Sequence, residues 1–466
     1  MKSASTQRHA SRSPEGSSSV WRSCWQGLSR LVGAPWVQSE TSRSAARRIR
    51  SWIEHAVGVG ILPGAVVLVA KRGERVLEEA VGYRDVATGS RLRRRDLFFL
   101  ASATKPLAAT AIVSLVDDGA LELDRAPIDR LPSLRRIRLA SGERVRAPTV
   151  REMLSHTAGM FGVDNATPEQ HRLVWNFRGT LAESAEQILQ EPLEFPPGSA
   201  YRYGGASVTV AARLAESLTG LPFDEFVDRR LLYPLEMSDT FYRASGRRAR
   251  SRALLHKAGP DGLQPTEGQP WDLQTDFVLA PGGMTSTARN LQGFLELHLN
   301  RGEHAGRRIL SEALALEMRR DQTGGSYRNP DAGARRWRSI KLSNAQGYGL
   351  GWVLDERGPD GVARVFYHSG LWGALIWGDA SDGLAVVLLT QIGGGRAMVL
   401  WRDIIELTRS YWGTPATSKS TTISVPDSLD FPFDEPTTKG SIRPLSKRRN
   451  RANRRRRGSS KRRQST

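Results

Sequence analysis

Ser102 and Lys105 stand three residues apart in FFLASATKPLAATAIVSLVDDG, residues 98–119. At i and i+3 of a helix, two side chains project from one face, one turn apart. A hydroxyl beside an amine is one way to make an activated oxygen nucleophile. A lysine carried into a dry site loses part of its basicity, because burial disfavours the charged form. Neutral, it accepts the serine proton; charged, it steadies the alkoxide left behind. A helix entrance adds unpaired N–H groups and the positive end of the dipole, and both favour a developing anion. The bare spacing is weak, since about one such pair is expected by chance in a chain of this composition. Its placement sets it apart: Leu107, Ala108, Ala111, Ile112, Val113, Leu115 and Val116 cover most sides of the helix, which therefore belongs inside a domain.

Acyl transfer needs a second proton carrier and a second oxyanion donor. FPPGSAYRYGG (195–205) offers Tyr203 on a Gly-rich turn just before a helix, where it can pass protons between nucleophile and leaving group. RVFYHSGLWG (364–373) offers His368 and Gly370 on a strand. A glycine inside a strand marks a place where another group approaches the backbone. Other chemistries find no support. His156 lies in a capped helix and reads as structural. There is no H-E-x-x-H, and the single Cys24 leaves neither a zinc set nor an internal disulfide. GGGR (393–396) lacks the trailing Lys-Ser/Thr of a phosphate loop and reads as a turn. No G-x-S-x-G is present, which excludes a nucleophile elbow. The expected chemistry calls for no metal and no cofactor.

The elements that must hold these residues alternate in texture along the chain. TSRSAARRIRSWIEHAVGVG predicts a helix ending at Gly58 or Gly60, and GAVVLVAKRGERVLEEAVGYRD two strands joined at Arg72-Gly73. The apolar helix then stops at Asp118-Gly119. TVREMLSHTAG carries a Thr149/Glu152 capping box with Gly159 as terminator. SVTVAARLAESLTG ends at Gly220, Pro222 opens the next helix, and STARNLQGFLELHLN has Ser286 as its expected cap. From about 346 the strands YGLGWVLDE, RVFYHSG, ALIWGDAS and GLAVVLLTQ follow, then a closing helix AMVLWRDIIELTRSYW. Strands at both ends with helices between predict an α/β (α+β) fold, an antiparallel sheet built from both chain ends with a helical subdomain inserted at about 120–280.

A net charge of +20 over 466 residues suggests a polyanion binder until it is located. Residues 441–466 hold 12 Lys/Arg and no acid, and residues 1–50 hold 9 against Glu15 and Glu40. Residues 51–440 carry 47 basic and 46 acidic side chains, so the folding part is close to neutral. The C-terminal run has no aromatic residue for base stacking; weak, non-specific polyanion binding by a solvated tail is its expected property. Residues from 416 onward read as linker and tail, and 1–40 as a basic segment. Within that segment VWRSCWQGLSRLV (20–32) forms one apolar helical face that either docks on its own domain or lies on a membrane surface. No transmembrane run and no secretory signal are read, so the cytoplasm is the default expectation, with export or membrane association the alternative.

Taken in order, Ser102-x-x-Lys105, Tyr203-x-Gly205 and His368-Ser369-Gly370 resemble the serine β-lactamase and penicillin-binding family, in its class C-like branch. The resemblance covers roughly residues 41–412 and includes the connectors LSHTAGM (154–160), PLEMSDT (234–240) and GGMTSTARNLQGF (282–294). It implies a β-lactamase/transpeptidase-like fold acting on a small-molecule or peptide ester or amide. In that reading Ser102 is the acylated nucleophile, Lys105 its activating partner and Tyr203 the proton relay. His368 and Ser369 take the place of the family's Lys-Thr, and the N–H groups of Ser102 and Leu371 form the oxyanion hole. Two positions depart from the pattern: Gly205 replaces an asparagine that holds a substrate amide, and His368 replaces a permanently charged lysine. Both favour esterase or D-amino-acid peptidase chemistry over true β-lactamase activity. A non-catalytic scaffold that keeps the fold is the alternative, with Gly205 in its favour and Ser102, Lys105 and Tyr203 against it.

Overall fold

GAVVLVA and LAVVLL are unbroken apolar runs, and such a strand is buried on both faces. The computed structural model describes residues 42–243, 251–259, 262–269, 275–327, 347–393 and 396–414. The expected 20–32 helix, the linker from 416 and the basic tail lie outside the described residues, as do 394 and 395 of the expected turn. The central sheet takes β1 (Gly64–Lys71), β2 (Glu74–Asp85) and β3 (Ser90–Arg91) from the N-terminal side. It takes β4 (Gly347–Tyr348), β5 (Val353–Arg357), β6 (Ala363–Ser369), β7 (Leu375–Asp379) and β8 (Leu384–Leu389) from the C-terminal side. All eight are antiparallel, in the order β4-β5-β6-β7-β8-β1-β2-β3. The β8–β1 pairing, Val66 opposite Leu389, joins the two chain ends as the sequence predicts.

Period-2 alternation divides β1 and β8 between two cores. Val66, Leu68 and Ala70 with Ala385, Val387 and Leu389 face one; Ala65, Val67 and Val69 with Leu384, Val386 and Leu388 face the other. The second face is covered by α1 (Ser42–Gly58), whose Ala45, Ile49, Trp52, Ile53 and Ala56 recur at helical spacing, and by the C-terminal helix Ala397–Trp412. At the β1–β2 turn Arg72 and Gly73 both take positive φ, 50° and 85°, as a tight two-residue hairpin requires.

The first core lies beneath α2 (Lys105–Asp117), buried continuously from Lys105 to Leu115. A helix hidden on all sides must satisfy its polar members internally. Thr110 donates to the Pro106 carbonyl at 2.7 Å, and Ser114 to Ala111 at 2.7 Å. The inserted helical region includes α3 (Val150–Leu154), α4 (Pro168–Val174) and α5 (Ala206–Thr219), with α5 packed on α2. α6 (Ala288–Leu299) returns to the sheet. No helix among the described residues is long and apolar enough to cross a membrane.

Two boundaries differ from expectation. α3 stops at Leu154 rather than running to Gly159, because His156 adopts φ 61° and turns the chain out of the helix. Thr287, not Ser286, caps α6, since the Ser286 hydroxyl is taken by Thr240 at 2.7 Å. The Thr149 capping box is present in full: Thr149 Oγ1 accepts the Glu152 N–H at 3.2 Å and Glu152 Oε2 accepts the Thr149 N–H at 2.8 Å. Thr149→Ala is expected to cost about 1 kcal/mol, read as a lower urea midpoint with an unchanged slope.

Candidate active site

Ser102 lies in a tight 3-10 turn, Ala101–Thr104, that runs straight into α2 at Lys105. The residue before it, Ala101, is held at φ 46°, a left-handed conformation that costs a non-glycine residue roughly 1–3 kcal/mol. The neighbouring chain is clamped on both sides. Gln391 takes the Phe99 N–H on Oε1 at 3.2 Å and donates from Nε2 to the Phe99 carbonyl at 3.1 Å. Leu100 N–H donates to the Met284 carbonyl at 2.8 Å. The first bond of the turn runs from Ala103 N–H to the Leu100 carbonyl, so the Ser102 N–H stands ahead of the ladder.

Lys105 Nζ is 3.0 Å from Ser102 Oγ and donates to the Pro281 carbonyl at 3.3 Å. With 4% of its surface exposed, the ammonium loses its hydration, and burial lowers its pKa from 10.5 to about 7. A neutral amine has one lone pair: with one N–H on Pro281, the lone pair can face the serine hydroxyl. The amine lies 4.7 Å from the centre of the Tyr203 ring, whose face stabilises an ammonium as it forms. Half-buried Tyr203 thus stands against the lysine of the pair.

Tyr203 is fixed by aromatic packing from behind. The buried His156 ring is 4.8 Å from Tyr203 and 4.8 Å from Tyr348, edge-on to both. Burial first, then the charge of Lys105, holds His156 well below its usual range, so the imidazole is neutral packing rather than a second base. His368 is buried at 3% exposure and 6.1 Å from Tyr203 ring to ring. Its Nδ1 lies 2.8 Å from the Ser369 carbonyl, which can only accept, so Nδ1 carries the proton. Nε2 is then an acceptor, and the Tyr348 hydroxyl donates to it at 3.1 Å. Burial and the Lys105 charge lower the His368 pKa to about 3, leaving it neutral at any physiological pH.

β6 brings its end directly onto the nucleophile's turn. A Cβ at Gly370 would lie 2.1 Å from the Leu100 carbonyl oxygen, the close approach that the strand glycine predicts. Gly370 N–H and Gly373 N–H are used within the turn that follows. Among the described residues no acceptor takes the Leu371 N–H, and the Leu371 side chain is 47% exposed. Ser102, Lys105, Tyr203, His368 and Gly370 therefore converge, with Ser369 ending β6 and Leu371 in the turn that follows it. Gly205 sits where a side chain has no space: a Cβ there would be 2.6 Å from Val174 Cγ1 and 3.2 Å from Pro281 Cγ.

A family model described as Beta-lactamase matches residues 49–409. The chain belongs to the beta-lactamase family. Esterase EstB of Burkholderia gladioli is 30% identical over 385 residues, 77% of this chain and 93% of its own length. Penicillin-binding protein 4 of Amycolatopsis lactamdurans is 26% identical over 349 residues, 74% of this chain and 84% of its own. The solved structure of EstCE1, titled a hydrolase with promiscuous acyltransferase activity, shares the fold with a TM-score of 0.66 at 23% identity, over 78% of this chain and 99% of that one. This beta-lactamase-family protein is a serine hydrolase. Two of its site contributors gave no sequence signal. The Pro281 carbonyl is backbone from a distant loop, and Tyr348 reads as an ordinary strand aromatic until its partner across the sheet is known.

Proposed function

We propose that the protein hydrolyses neutral carboxylic esters through an acyl-enzyme on Ser102. The observation that carries the reading is a buried Lys105 with its Nζ 3.0 Å from Ser102 Oγ and a pKa of about 7. Lys105 takes the serine proton as Oγ bonds to the ester carbonyl, and the resulting oxyanion faces the Ser102 and Leu371 N–H groups. Collapse of the tetrahedral species breaks the bond to the alcohol oxygen, which leaves with a proton relayed from Lys105 through Tyr203. Water then attacks the acyl-enzyme, returning its proton along the same route, and the acid leaves as Oγ recovers its hydrogen. Esters are favoured over β-lactams and C-terminal peptides because both of the latter present a carboxylate. The position where the family resemblance places a lysine holds a neutral His368. The 30% identity to a protein named an esterase supports the same substrate class.

The test is intact mass after a fluorophosphonate probe, followed by peptide mapping and by ester, D-amino-acid peptide and β-lactam panels. One adduct, mapped to Ser102, with turnover confined to esters is the expected result. A folded protein with no adduct overturns catalysis; turnover of peptide or β-lactam at rates equal to ester overturns the substrate class.

A further inference from the structure

The N–H groups of Ser102 and Leu371 lie far apart in the chain, yet they must stand at a fixed separation to share one oxyanion. The segment Thr390–Gln391–Ile392, directly after β8, reaches the supports of both. Thr390, fully buried, donates from Oγ1 to the Gly64 carbonyl at 2.7 Å and so ties the segment to β1. Gln391 turns its side-chain amide to Phe99, which leads into the turn that carries Ser102. Ile392 N–H donates at 3.0 Å to the carbonyl of Trp372, the residue after Leu371.

Both grips are specific. Leu100 N–H points to Met284, so the N–H and carbonyl of Phe99 face the opposite edge, where Gln391 meets both as a neighbouring strand would. The other amide proton of Gln391 goes to the Thr390 carbonyl at 2.8 Å. The amide therefore has one orientation: flipped, its nitrogen would face the Phe99 N–H and its oxygen two carbonyls. At 1% exposure, with every polar atom engaged by backbone, Gln391 has nothing left for a substrate. On the Leu371 side, Gly373 N–H closes the turn on the Gly370 carbonyl at 2.9 Å. That turn is pressed onto the same segment, since a Cβ at Gly373 would lie 2.4 Å from Thr390 Cγ2. Trp372 itself packs against the small cluster of Phe99, Ala101 and Leu255. The segment is held from outside by His256, whose N–H donates to the Gln391 carbonyl at 2.9 Å and whose carbonyl accepts the Gly393 N–H at 3.2 Å.

We propose that Thr390–Gln391–Ile392 is a bracket that sets the spacing of the two oxyanion donors, and that Gln391 is its positioning residue, acting on Ser102 through Phe99. The inference rests on the ester-hydrolase reading and adds to it the element that holds the oxyanion hole together.

The experiment compares wild type with Gln391→Leu and Gln391→Glu. Leucine keeps a side chain of similar size and removes both bonds to Phe99. Its kcat/KM on p-nitrophenyl butyrate is expected to fall about a hundredfold. The Ki of an alkyl trifluoromethyl ketone, whose adduct on Ser102 carries the oxyanion, is expected to rise by the same factor. The Ki of the matching ether, which forms no oxyanion, stays at the wild-type value. Gln391→Glu covers the case in which the leucine variant does not fold. Protonated, its carboxyl accepts from the Phe99 N–H and donates to the Phe99 carbonyl; ionised, it only repels that carbonyl. Its kcat/KM is expected to show a falling limb with rising pH that the wild type lacks, in protein that circular dichroism shows folded throughout. A folded Gln391→Leu at the wild-type rate, or a Gln391→Glu profile that follows the wild type, overturns the bracket and leaves the hydrolase reading standing. Equal losses on ketone and ether make Gln391 a structural tie and overturn its positioning role. A wild type that turns over no ester overturns both readings.

Discussion

Lys105→Met is expected to lower kcat/KM on esters about a thousandfold while making the protein more stable. The two effects have one cause. An ammonium with 4% exposure has lost its water, and its pKa falls from 10.5 to about 7. A lysine depressed in the folded state destabilises that state wherever the unfolded chain still binds the proton. The penalty is complete below about 7, shrinks as pH rises from about 7 to 10.5, and is gone above that. At about 1.4 kcal/mol per unit, the penalty at neutral pH is on the order of 4 kcal/mol. Methionine removes it and forfeits the bonds to Ser102 and Pro281, worth roughly 1 kcal/mol each, so a net gain of about 2 kcal/mol remains.

The pH profile separates this account from a merely structural lysine. Wild-type kcat/KM is expected to rise with pH up to about 7, as Lys105 loses its proton, and then level off. The residual activity of Lys105→Met should show no such limb. Lys105→Arg keeps the charge at every pH and should be inactive without being stabilised. The measurements are kcat/KM from pH 5 to 9 and the urea midpoint of each variant. A methionine variant that loses stability along with activity would make Lys105 a structural tie and sink the general-base role.

How much of this was legible in the sequence depends on the range of the interaction. The Ser102–Lys105 pair was legible because i and i+3 on one chain segment need no tertiary information. The doubly buried strands were legible because burial on both faces leaves an unbroken apolar run. Gly370 announced a close approach without naming what approached; only the fold brings the Leu100 carbonyl there. The left-handed Ala101 was silent, since alanine carries no preference for φ 46° and the clamp on the neighbouring Phe99 comes from Gln391, far downstream in the chain. The shift of the α6 cap by one residue has the same origin: Ser286 and Thr287 are equal caps locally, and Thr240 decides between them.

Gly370→Ala is expected to reduce kcat by about a hundredfold, although the substitution adds a single methyl group and touches no proposed catalytic side chain. Its Cβ would fall 2.1 Å from the Leu100 oxygen and 3.1 Å from the Leu100 carbon. Both are backbone atoms, so no rotamer change relieves the collision. That oxygen also accepts the Ala103 N–H, the first bond of the turn carrying Ser102. The strand end must therefore retreat by about 1 Å or push the nucleophile's turn aside, and either motion separates the Ser102 and Leu371 N–H groups. An oxyanion donor displaced from its target costs about 3 kcal/mol, and that loss falls on kcat more than on KM. Gly220→Ala supplies the control. Gly220 caps α5 at φ 70° with nothing within 4 Å, so alanine there strains the backbone and lowers stability by about 1 kcal/mol, far from the chemistry. The pair distinguishes a local effect from a global one: Gly220→Ala should melt earlier and turn over normally. Gly370→Ala should label slowly with the fluorophosphonate even while fully folded. Wild-type kcat in Gly370→Ala would mean that the β6 edge does not close the oxyanion hole, and the second donor would have to be sought outside Leu371.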